Sequence, residues 1–250
     1  MTTIWLVAVL AGLFAWVRYD QRQYARFKAA ETSAVRQGYY WRWTLHSFVV
    51  LAGGALVTLV LLGRTGAVFG LPHEFQALAS QLADPQSRES ISADKVGGMM
   101  GGAVFGLAAL MLIQYLRVRK LATPVVGDIE PLMTRNAREG WAALPLCINA
   151  GFSEELFFRL ALPLLILDVT GSIGVALAGS LVIFGLMHAY QGWKGVLGTA
   201  VVGAFITLVY LRSGSLLRPM VMHALIDMIA LIVRPAAARW LGQRRRLAVA

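Results

Sequence analysis

Five stretches of the chain, residues 1–17, 43–63, 96–116, 169–193 and 195–211, contain no Asp, Glu, Lys or Arg. Each approaches or exceeds the ~20 residues that a helix needs to cross a bilayer. Two further segments, 140–167 and 216–233, are equally apolar apart from a few ionisable residues. Soluble domains carry ~25% charged residues; here the figure is 14%, against 58% hydrophobic residues. Lipid offers a backbone no hydrogen-bond partners, so each spanning segment must satisfy its own. The expected fold is all-α, a polytopic membrane helix bundle with about seven transmembrane helices.

A net charge of +10 raises nucleic acid as a partner, and the distribution of that charge argues against it. The basic residues are not gathered on one soluble module. They fall in alternate loops: Arg18, Arg22, Arg26, Lys28, Arg36 and Arg42 in one, Arg117, Arg119, Lys120, Arg135 and Arg138 in another, and Arg234, Arg239 and Arg244 to Arg246 in the tail. The positive-inside rule assigns these segments to the cytoplasm. The interval 64–95 is mixed in sign and fits the opposite side. The expectation is a multi-pass protein of a bacterial inner membrane, N-terminus outside and C-terminus cytoplasmic. The first apolar run, IWLVAVLAGLFAWV, follows an uncharged MTT and precedes no small-residue cleavage pattern, so it reads as a retained helix.

Three regions are expected: N-terminal membrane helices with a basic cytoplasmic loop (1–120), a helical core (121–235) and a basic tail (236–250). The loop at 18–42 is rich in Tyr and Trp, as suits an interfacial segment or a partner site. Gly98, Gly102 and Gly106 lie four apart, the spacing at which small residues let helices approach closely; packing within the chain is the plain reading and homo-oligomerisation the alternative. The single cysteine, Cys147, excludes an internal disulfide and reads as a small buried hydrophobe. His46 begins a span and His73 follows Pro72, so both read as interfacial.

The informative residues are those that should be costly in lipid. An ionised side chain at the bilayer centre costs at least ~2.5–3.5 kcal/mol on insertion scales, yet GFSEELFFRLALPLL (151–165) contains Glu154, Glu155 and Arg159. His188, His223 and Asp227 occupy two later apolar segments. The economical arrangement turns all of them inward, toward one another or a wet cavity. Glu155 and Arg159 are four apart with the acid first, the better order for a pair within one helix. Glu154, about 100 degrees round the helix, is then left without a partner in cis. His223 and Asp227 share a face, so the carboxylate can orient the imidazole or both can bind one ligand; Phe184 lies one turn before His188. A carboxylate without a cationic neighbour can act as a general base, and two histidines can position water, hold a metal or donate to a developing oxyanion. Water attacking a carbonyl is the chemistry best supported, with a proton-coupled transporter or channel as the alternative.

The ordered trio of E154-E155-x-x-x-R159, F184-x-x-x-H188 and H223-x-x-x-D227 resembles the signature of the CPBP family, the CAAX-protease and bacteriocin-processing (Abi) enzymes, which includes the type II CAAX prenyl endopeptidases. The likeness covers about residues 140–235. It implies an intramembrane endopeptidase in which Glu154 activates water, His188 helps to hold that water, His223 and Asp227 stabilise the oxyanion or complete the site, and Glu155, Arg159 and Phe184 support it. It implies as partners a lipid bilayer and a membrane-associated protein or peptide substrate. The family has been described both as glutamate proteases and as metalloproteases, so zinc held by His188, His223, Asp227 and Glu154 stays open. One departure matters: the prenyl endopeptidases usually have Asn where this chain has Asp227, and bacterial relatives accept either. An ionised Asp donates no hydrogen bond, so Asp227 would be protonated, orient His223 or ligate a metal.

Overall fold

The computed structural model describes residues 1–82 and 127–247, and every regular element among them is helical. Helix α1 (Thr2–Lys28) runs on into the first basic interval, and α2 (Ser33–Ser47), which carries the rest of it, is capped by Thr32, whose hydroxyl accepts from the Val35 amide. A π-helical turn, Phe48–Ala52, carries α2 into α3 (Gly53–Leu61) without a break. Helix α4 (His73–Leu82) is followed, after the undescribed residues, by α5 (Ala137–Glu155), capped by Asn136. A second π segment, Leu156–Ala161, joins α5 to α6 (Leu162–Thr170), which ends at Gly171 in the left-handed conformation, φ +67°. Then come α7 (Ile173–Met187), α8 (Gly192–Ser213) and α9 (Leu217–Met228). A third π segment, Ile229–Val233, leads into α10 (Arg234–Leu247).

Among the described residues, four helical stretches are long and apolar enough to cross a bilayer: Thr2–Lys28, Ser33–Leu61, Ala189–Ser213 and Leu217–Leu241. Ile173–Met187 is apolar but shorter, and the α5–α6 rod carries the buried charges. The expected span at 96–116, with its Gly98, Gly102 and Gly106 stripe, lies outside the described residues, as does the region boundary at 120. The chain is a multi-pass integral membrane protein built from helices. The sequence favours an interfacial stretch before a short helix near Asn149; instead the helix passes straight through Pro145, and Glu154 lies about 26 Å along the rod at 1.5 Å per residue.

The bundle has an apolar interior in which a few charged side chains are buried, and it exposes large apolar side chains on its outside. Phe14, Val57, Val201, Phe205 and Val221 are exposed, whereas Arg36, Glu139, Glu155, Arg159 and His223 are buried. Arg36, expected in a solvated loop, pairs with Glu139 at 3.2 Å. It also donates to the carbonyls of Pro131 and Met133 and lies over the Phe27 ring at 4.3 Å. This ties α2 to the segment that leads into α5.

A π turn breaks the regular i→i−4 ladder, and π turns recur at functional sites. Ser180 on α7 donates to the Phe158 carbonyl at 2.6 Å. Thr134 donates to the Leu231 carbonyl through both amide and hydroxyl, at 2.9 and 3.0 Å. The two π segments that flank the polar centre are therefore held by neighbouring elements.

Candidate active site

Glu154 and Glu155 are the last two residues of α5 before the π turn. Their position depends on Gly151, one turn earlier. A Cβ there would lie 2.4 Å from the Met220 carbonyl oxygen and 2.8 Å from the Ala224 amide nitrogen, so any side chain would drive α5 and α9 apart. The close crossing brings Glu155 on one helix against His223 on the other.

Glu155 holds two partners. Its Oε1 lies 2.7 Å from His223 Nδ1 and its Oε2 3.2 Å from Arg159 Nε. An ionised carboxylate only accepts, so His223 carries a proton on Nδ1 and turns Nε2 toward Asp227, whose Oδ2 is 3.8 Å away. The carboxylate that bonds the imidazole is therefore Glu155, whereas the sequence spacing points to Asp227 for that role. Arg159 lies over the Phe184 ring at 4.3 Å, and that ring packs 5.0 Å from His188 and 6.1 Å from His223. Glu155, Arg159 and Phe184 form a buried layer beneath the two histidines.

His188 ends α7, with its Nδ1 2.9 Å from the Phe184 carbonyl. A carbonyl only accepts, so Nδ1 is the protonated nitrogen, and in the neutral ring Nε2 presents a lone pair. That Nε2 lies 4.0 Å from Glu154 Oε2. Glu154 accepts no hydrogen bond among the described residues, and its Oε2 is buried.

All four of Glu154, His188, His223 and Asp227 line one cavity of about 420 Å³. It opens between two apolar clusters, one containing Phe158 and Phe184, the other Leu132 and Leu231. The other histidines stand apart. His46 stacks on Trp16 with centroids 4.9 Å apart, and His73 pairs with Glu74 on the exposed side. Cys147 is free and buried.

Sequence reasoning missed the contribution of the first two helices. Trp16, Asp20 and Tyr24 from α1 and Trp43 and Ser47 from α2 also line the cavity. The available signal was Asp20, the acid inside the interval RYDQRQYARFK. The donors do not close into a zinc shell. Among the described residues no three His, Cys, Asp or Glu side chains are grouped to hold an ion.

Residues 136–229 match the family model of Rce1-like type II CAAX prenyl endopeptidases. The matched segment begins at the cap of α5 and ends just past Asp227, so it contains all three motifs. No curated protein and no solved structure matches the chain.

Proposed function

We propose, for a chain whose residues 136–229 belong to the CAAX-protease family of membrane endopeptidases, that it hydrolyses a peptide bond of a membrane-associated protein or peptide with Glu154 as the base that activates water. The observation that carries this reading is the solitary Glu154 carboxylate, facing the Nε2 lone pair of His188 across 4.0 Å at the wall of the shared cavity. A water ~2.8 Å from both atoms closes a triangle on that base. It donates one proton toward each acceptor, which aims its oxygen lone pairs into the cavity.

In the attack, Glu154 takes a proton from the water as its oxygen bonds to the scissile carbonyl carbon, and the carbonyl π electrons move to oxygen. His223 receives the oxyanion. With Nδ1 held by Glu155, a doubly protonated ring donates from Nε2, and the Glu155 carboxylate balances its charge. Collapse of the tetrahedral intermediate breaks the C–N bond, and Glu154 returns its proton to the leaving amine. No step uses a metal ion. The proton-relay alternative has no observation of its own to carry it.

Asp227 supplies a second donor to the oxyanion in its protonated form, since an ionised Asp has no proton to give. The expected outcome is that Asp227→Asn, which donates through its amide, keeps cleavage within a few-fold of the parent. Asp227→Leu, which cannot donate, should lose about a hundredfold or more. Initial rates of purified protein on a helix-tethered peptide library, read by mass spectrometry, provide the check. Equal losses in both variants would remove Asp227 from the oxyanion site, and cleavage of no library member by the parent protein would end the peptidase reading.

A further inference from the structure

The charge of the cavity is not explained by hydrolysis alone. Its lining holds three carboxylates, Asp20, Glu154 and Asp227, and no Lys or Arg, in a chain with 23 Lys and Arg against 13 Asp and Glu. Glu154 and Asp227 have work in the reaction proposed above. Asp20 has none. It forms no hydrogen bond and no ion pair among the described residues, although it lies on a helix apolar enough to cross the membrane. A carboxylate turned to a cavity wall without a paired cation loses part of its hydration, which a ligand can repay.

The surroundings of Asp20 point to a ligand. Trp16, Asp20 and Tyr24 are spaced four apart on α1, so they form a stripe on one helical face, and all three line the cavity. Tyr24 packs against Tyr190 with ring centroids 5.0 Å apart, and Tyr190 lies 6.0 Å from the His188 ring. A carboxylate without a paired cation at the wall of the cavity suits a cationic group, which gains charge pairing and a charge-assisted hydrogen bond. The stripe adjoins the catalytic histidine, so the cation would belong to the molecule being cleaved.

We infer that Asp20, flanked by Trp16 and Tyr24, forms a subsite for a basic side chain of the substrate, a Lys or Arg held beside the scissile bond. The inference rests on the endopeptidase reading and names the substrate class for it.

Binding in a protein that cannot hydrolyse separates the two claims. Glu154→Gln protein in nanodiscs is titrated with N-dodecanoyl-argininamide and with its uncharged isostere, N-dodecanoyl-citrullinamide, each followed by calorimetry. The arginine probe should bind about tenfold tighter, the scale of one charge-assisted hydrogen bond. Adding Asp20→Asn should bring the ratio close to one while leaving the citrulline probe unaffected. Equal affinities in the Glu154→Gln protein, binding of neither probe, or a preference that survives Asp20→Asn would each overturn the subsite. None of these results depends on whether the parent protein cleaves peptides.

Discussion

Glu154→Gln should lower the rate of peptide cleavage roughly a thousandfold, within the range that a positioned general base contributes, while the protein still inserts and keeps its helical content. Glutamine fills the same space, and Glu154 accepts no hydrogen bond from the described protein, so the substitution breaks no contact that holds the bundle together. It removes the group that accepts the proton from water. Rates on a helix-tethered peptide, compared with circular dichroism of the same preparations, separate loss of chemistry from loss of fold. A variant that cleaved at the parent rate would show that another group is the base.

Arg159→Leu should be the most destabilising single change in the site. Arg159 is 2% exposed and Glu155 fully buried, and the pair is held at 3.2 Å. Removing one partner of a buried ion pair costs about 3–5 kcal/mol because the other charge stays behind uncompensated. In detergent this corresponds to a fall in melting temperature of about 10 °C. The double variant Glu155→Leu/Arg159→Leu, in which neither member of this ion pair is left alone, should melt higher than Arg159→Leu alone. It should nevertheless be inactive, because His223 loses the carboxylate that holds Nδ1. Arg159→Lys should lie between parent and Leu, since an ammonium keeps the charge and loses the flat stacking on Phe184. A double variant that retained normal cleavage would remove Glu155 from the positioning of His223.

The apolar runs made the helices legible, because 20 uncharged residues in lipid have few options. The motif residues were legible for the complementary reason: charge inside such a run needs a partner, and the spacing of Glu155 and Arg159 supplied one within the helix. Three things were not. The bond between Glu155 and His223 joins residues 68 apart and depends on the contact at Gly151, where the absent side chain matters only once α5 and α9 are seen to cross. The π turns at Leu156–Ala161 and Ile229–Val233 alter helix register without a distinctive composition. Arg36 and Asp20 sit in a basic interval that reads as a solvated loop, because composition cannot distinguish a charge facing water from one turned into a bundle.

The most direct test asks whether the four polar residues meet around a cavity that water can enter. In Cys147→Ala protein, which contains no other cysteine, cysteines placed at 154 and 188 are treated with a water-soluble, short bifunctional methanethiosulfonate applied to intact membranes. Glu154 and His188 approach within 4.0 Å, so the account predicts that the reagent reaches both positions and links them within one chain, detected as a single cross-linked peptide after digestion. Failure to link them while each single cysteine reacts, or failure of either to react at all, would contradict a shared, wet active site.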